Sequence, residues 1–222
     1  LALGTQVFAE DEDDEKKKVN PLGDAKKELH EKFSVIKKAS EKSDGLFPLY
    51  QDQRDGTVYL SIQADQLDKE FIYFSHTIDG IAEVGHFRGA FGREQVLAIE
   101  RRFDKIDFIA RNHSFYFDPE NPISRASDAN VSDAVLVSAP IAGEHKRSGE
   151  ILVKADAVFL KELMRQVKWS GGDDDEKGFK LGQLSEDRTR FTKLKNYPAN
   201  TVLTVRYVFE NLHPKKFSEE AE

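Results

Sequence analysis

The sequence predicts a mainly β, α+β fold: a curved antiparallel sheet or open barrel with one or two covering helices. Three observations predict it. Between residues 46 and 110 apolar and polar side chains alternate with a period of two, as in strands with one buried face. Most of those runs are joined by short turns, which favour antiparallel pairing, since parallel strands need long crossovers. Sixteen Phe and six Tyr against one Trp and one Met point to a core filled by rigid aromatic rings.

The elements follow in chain order. Leu29, Phe33, Ile36 and Ala39 fall on one stripe at helical spacing, predicting a helix over 24–42 with Asp24 or Asn20 as its cap. From Leu46 the period changes to two. Residues 46–50 read as a strand with Pro48 at an edge position. Asp55-Gly56 is a strong hairpin signal leading into the Val58, Leu60, Ile62 alternation. Strands are expected at 70–76, 95–101 and 105–110, with Phe103-Asp104 turning between the last two. Residues 117–130 read as a loop. Residues 134–141 and 150–154 read as a further hairpin, 157–169 as a second helix, 171–178 as an acidic loop and 200–209 as a closing strand.

The ends have a different character. Leu1–Ala9 is apolar and closes on Val7-Phe8-Ala9 before an acidic block, as the back half of a signal peptide does. The expected organisation is a signal-peptide remnant at 1–9, a disordered charged leader at 10–23, one β-rich domain at 24–211 and a polar tail or linker at 212–222. A periplasmic or secreted location follows as an expectation. No stretch reaches the roughly 18 apolar residues of a membrane span.

Composition narrows the chemistry. Forty acidic residues against 33 basic ones give a formal charge of −7, which argues against a nucleic-acid surface. Without cysteine there is no thiolate nucleophile, no disulfide and no Cys-based metal site. A helical zinc motif needs a second His four residues after the first, and Ser34 stands there after His30-Glu31. His76 and His86 flank a glycine-rich loop but lack a nameable third ligand. The run from Asp173 fits an EF-hand Gly at Gly178 but has Leu184 where the final Glu belongs. Gly85, Gly89 and Gly92 have the wrong spacing for a phosphate cradle, and no serine sits in a Gly-x-Ser-x-Gly elbow. Asn112 and Asn130 begin glycosylation sequons, relevant only to a eukaryotic source. The sequence thus names no catalytic, cofactor-binding or metal-binding residue.

One loop stands out. Residues 79–92 are longer than a hairpin needs and carry Ile81, Val84, Phe87 and Phe91 among four glycines. Phe87 and Phe91 are candidate docking anchors, with Arg88 or Arg93 pairing a carboxylate at the rim. The competing reading is that the loop folds back over its own sheet.

In order and spacing, Gly45–Tyr50, Gly56–Ile62, Glu70–Tyr73, Arg88-Gly89, Gly92, Val96–Arg101, Ile151–Val153 and Tyr197–Thr201 resemble a known family domain. It is a domain of unknown function that precedes the catalytic region of large bacterial secreted zinc-dependent metalloproteases. The resemblance covers about residues 45–210. It implies a metallopeptidase parent whose zinc motif, His-Glu-x-x-His-x-x-Gly-x-x-His, lies downstream, so no catalytic residue and no cofactor transfers to this chain. The implied role is a non-catalytic accessory domain, partnered by the catalytic region of the same polypeptide and by a peptide substrate. The alternative is a free-standing extracytoplasmic module that binds peptide or glycan.

Overall fold

The structure, a computed structural model, describes residues 21–82, 85–113, 132–167 and 181–211. The expected signal-peptide remnant at 1–9, most of the charged leader, the loops at 117–130 and 171–178 and the tail at 212–222 lie outside those residues.

Helix α1 spans Pro21–Ala39. β1 (Ser40–Ser43), β2 (Leu49–Asp52), β3 (Val58–Ile62) and β4 (Glu70–His76) follow, with a 3-10 turn at Ala64–Gln66 before β4. Next come β5 (Phe91–Arg102), β6 (Lys105–Ala110), β7 (Ala134–Glu144), β8 (Ile151–Lys154) and the short helix α2 (Ala155–Phe159). β9 (Gln183–Leu184), β10 (Arg190–Tyr197), β11 (Asn200–Arg206) and β12 (Phe209–Glu210) complete the described chain. Eight strands form one curled antiparallel sheet in the order β1-β2-β3-β8-β7-β6-β5-β4. β10 pairs with β11 and β9 with β12, also antiparallel. The mainly β class with two helices is therefore as the alternation predicted.

β3 sits between β2 and β8, and all five of its residues are buried. Val58, Leu60 and Ile62 join Leu97, Ile99, Ile106, Phe108, Val137, Ile151 and Val153 in the core on the sheet's inner face. Val158 of α2 and Met164 close that core, and Phe191, Leu194 and Leu203 of the β10–β11 hairpin pack against it. On the outer face α1 places Phe33 and Ile36 on Tyr50, Tyr59 and Leu152. Burying each such side chain contributes about 1.5–3 kcal/mol, so the two covered faces anchor β3 firmly.

Contact between α1 and the sheet is closest at Gly143 of β7. A Cβ there would stand 2.7 Å from both the Cα and the N of Phe33. A polar bracket sits beside this contact. Glu150 accepts hydrogen bonds from Ser61 Oγ at 2.7 Å and from Lys37 Nζ at 3.1 Å, with Tyr50 OH at 3.5 Å. Burial pushes the Glu150 carboxyl up, but the bonds from Ser61 and Lys37 outweigh it, and its pKa lies below the ordinary 4.5.

Several boundaries differ from expectation, each for a local reason. The first helix covers Pro21–Ala39 rather than 24–42, and Ser40–Ser43 is a strand. Pro21 suits a first helical turn, where its missing N–H costs nothing. The polar run Ser40-Glu41-Lys42-Ser43 carries no period-two signal; it is extended because it pairs with Leu49–Asp52. The strand expected at 46–50 begins at Leu49. Ahead of it, Leu46 N–H donates to Tyr197 O and Phe47 O accepts from Asn196 Nδ2, which ties the segment to the β10–β11 hairpin. β5 starts at Phe91, so part of the expected 79–92 loop is strand. The second helix, expected at 157–169, ends at Phe159. Glu162 and Arg165 adopt φ of 56° and 55°, which no right-handed helix accommodates; Trp169 is outside the described residues. β10 was not anticipated, because its Lys193, Lys195 and Asn196 and a bulge between Phe191 and Lys193 hide the alternation. The turns at Gly56 (φ 79°) and at Phe103 (φ 55°) lie where expected.

Two outcomes test this packing. Gly143→Ala should push α1 off the sheet and lower the unfolding free energy by about 1–3 kcal/mol, measured by urea denaturation. Glu150→Gln should remove an acid-dependent contribution. A carboxylate with a lowered folded pKa stabilises fully above its unfolded value near 4.5 and loses that stabilisation as pH falls through the folded value. The melting-temperature gap between wild type and Glu150→Gln should therefore be present at about pH 6 and narrow toward about pH 3.

Candidate functional site

Among the described residues, the segment joining β4 to β5 exposes several large apolar side chains. It is pinched at its base: Thr77 N–H donates to Ala90 O at 2.8 Å, and Gly89 N–H donates to Thr77 O at 2.7 Å. Gly89 takes φ of 79°, which a side chain would resist. Farther out, Gly85 N–H donates to Ala82 O and His86 N–H to Ile81 O. His86 is buried, and its Nε2 lies 2.9 Å from Val167 O. A carbonyl only accepts, so Nε2 carries the proton. That bond fastens the loop to the chain after α2. Gly80 is required here, since a Cβ would approach His86 Cβ to 2.6 Å.

The four candidate docking residues separate into two groups. Phe87 is 61% exposed and Phe91 72% exposed, so neither ring belongs to this chain's described core. Ile78 and Ile81 on the same loop are exposed as well. Arg88 Nη2 lies 3.1 Å from Asp79 Oδ1, an exposed pair bridging the two arms of the loop; an exposed pair of this kind contributes about 0–1 kcal/mol. Phe91 is the first residue of β5 and stands opposite His76. Arg93 instead lines a shallow cleft of about 480 Å³ with Glu94, Gln95, Arg111, Asn112 and His113. His86 thus turns inward, to the chain after α2, while the two phenylalanines face out.

Within that cleft, one guanidinium serves several carboxylates. Arg111 reaches Asp133 at 2.6 Å, Glu100 at 2.8 Å and Glu70 at 4.0 Å, and His113 Nε2 lies 3.4 Å from Glu70. The Arg111 hydrogen bond holds the Asp133 carboxyl below its ordinary range. These pairs tie β4, β5 and β6 to the residue preceding β7, a bracing role.

Among the described residues the histidines gather into no metal-binding group. His86 is engaged by Val167, and exposed His76 stacks on Phe74 at 6.4 Å. His30 and His145 do meet, with ring centroids 5.2 Å apart, a contact invisible to spacing rules because it joins α1 to the β7–β8 turn. Lys146 N–H points at His30 Nδ1 and Ser148 N–H at His145 Nδ1. Both Nδ1 atoms are therefore acceptors, and in the neutral rings the protons sit on Nε2. Among the described residues no three His, Asp or Glu side chains form a metal-binding group. Ser61, Glu150 and Lys37 have nucleophile-like chemistry, but Ser61 is fully buried beneath α1. Burial raises the Tyr73 phenol to about 12, so it stays protonated.

The family described as a domain of unknown function, DUF5117, matches residues 89–221. The chain belongs to this family. No curated protein matches it, and no solved structure does. The DUF5117 match takes in β5 to β12 and begins within the base of the loop. β3 nevertheless lies between β2 and β8, and β4 flanks β5, so the matched region shares its sheet with residues ahead of it. No described helix is long and apolar enough to cross a membrane.

Elemental analysis of the purified, metal-supplemented chain should find no stoichiometric zinc, and a general peptidase assay should find no cleavage. One tightly bound zinc per chain would return His76 and His86 to consideration.

Proposed function

We propose that this chain is a non-catalytic accessory domain of a secreted or periplasmic zinc-dependent metalloprotease, and that the loop over 77–91 docks it on the catalytic region of the same polypeptide. The observation that carries the reading is the outward placement of Phe87 and Phe91 on a loop whose base and middle are pinned. Large rings held in place lose little side-chain freedom on burial by a partner, which is why aromatic anchors dominate protein interfaces. The Arg88–Asp79 pair at the edge of the patch supplies the polar rim such an interface needs. The order and spacing of the segments from Gly45 to Thr201 support the metalloprotease context, with zinc belonging to the catalytic region and not to this chain.

Phe87→Asp tests the docking role. It should leave the melting temperature of the isolated domain within a few degrees of wild type. Its affinity for a separately expressed catalytic region should fall by roughly tenfold or more, since anchors of this kind contribute about 2 kcal/mol or above. A fall of many degrees in the isolated domain, with association unchanged, would make the loop part of the core and end the docking reading.

A further inference from the structure

β4 ends the eight-stranded sheet, and β5 is its one strand neighbour among the described residues. In an antiparallel ladder, alternate residues turn their N–H and C=O to opposite sides. Arg111 N–H donates to Val96 O, so Val96 bonds toward β6, and its neighbours Leu97 and Gln95 bond toward β4. The residues opposite those two are Phe71 and Tyr73. The backbone groups of Glu70, Ile72 and Phe74 therefore point away from the sheet. Edge strands are normally guarded by lysine, proline, an inward charge or shortness. β4 has seven residues, Glu-Phe-Ile-Tyr-Phe-Ser-His, with no lysine and no proline. The bulge in its pairing with β5 puts the extra residue on β5, because Phe74 faces Glu94 while His76 faces Phe91. β4 itself stays regular. On the sheet's outer face it presents Ile72, 76% exposed, and Phe74, 56% exposed.

We propose that β4 pairs antiparallel with β4 of a second copy of this chain, about a twofold axis at Tyr73, joining the two sheets into one. The strand is self-complementary in that register. Ile72 falls opposite Phe74 of the second copy, and Glu70 falls opposite its His76, each pair occurring twice by symmetry. An aromatic ring beside a β-branched side chain is a favourable cross-strand pair, and so is an acid beside a basic imidazole. The residues so matched are the even-numbered ones, which include those whose backbone groups point away from β5, so main-chain bonding and side-chain matching select the same register. A slip of two residues one way sets Glu70 against Phe74. The other way sets Ile72 against His76. Either slip loses the Glu70–His76 match. The Glu70 carboxylate already receives His113 at 3.4 Å on its own chain, and a carboxylate accepts several donors. Phe91 stands across the ladder from His76 and so borders this surface, but the inference is carried by the open edge of β4 and does not rest on the docking reading.

Sedimentation equilibrium of the 222-residue chain tests it. The chain should show a concentration-dependent dimer, and Phe74→Lys should weaken it by about tenfold or more while leaving the unfolding transition unchanged, because that ring is outside its own core. His76→Glu should weaken the dimer, and adding Glu70→His to it should restore association. The chain contains no cysteine, which permits a second readout. Ile72→Cys and Phe74→Cys chains, mixed and oxidised, should cross-link faster than either alone. A chain that stays monomeric to on the order of 1 mM would overturn the proposal. So would a dimer insensitive to Phe74→Lys, a charge swap without rescue, or equal cross-linking rates.

Discussion

The double burial of β3 is the constraint on which the rest of the structure depends. A strand with only one covered face reads as alternation, but Val58–Ile62 is closed on both, by the inner core and by α1. The helix must then come close to the sheet, and Gly143 lets its backbone do so. The inner face must also be capped from beyond β8. α2, Met164 and the β10–β11 hairpin supply that cap. The hairpin is held in turn by Asn196, whose Nδ2 donates to Ser43 O and Phe47 O. Removal of any of these layers would expose part of a core shared by strands from both ends of the described chain.

A polar group under a helix is costly unless every charge finds a partner. Glu150 meets that requirement with Ser61, Lys37 and Tyr50, all from different elements. The bracket therefore specifies where α1 lies along the sheet, a positional job that the smooth apolar contact of Phe33 and Ile36 does poorly. The His30–His145 contact does the same at the other end of the interface, with each Nδ1 accepting a backbone N–H.

On the far side of the sheet, from β4 to the start of β7, α1 gives no cover. There the outer surface keeps Ile72, Phe74 and Val135 exposed beside the charge bracket of Arg111. The loop over 77–91 adds Phe87 and Phe91. One half of the sheet is thus finished within the chain, and the other half carries the apolar surface from which both proposals are argued.

Much of the fold was legible because local chemistry and tertiary context agree in β3, β4, β6, β7 and β8. Alternation, the Asp55-Gly56 turn and the Phe103-Asp104 turn each act over a few residues, and their physics is complete within that span. Where the deciding partner is remote, the sequence was silent. Ser40–Ser43 is a strand only through β2, β10 only through β11, and the second helix stops at Phe159, ahead of the positive φ of Glu162 and Arg165. The candidate site divides along the same line. Residue types and glycine content singled out the loop and its phenylalanines, since apolar rings among glycines are a local anomaly. That His86 turns in to Val167 while Phe87 turns out was decided by tertiary structure, because a hydrogen bond to a carbonyl 81 positions away leaves no trace in local pattern. The sequence by itself determined the class of the fold, the absence of cysteine chemistry and the loop that carries surplus apolar surface. Tertiary structure alone decided which of the described rings face water and which strand ends the sheet, because both depend on long-range packing and strand order.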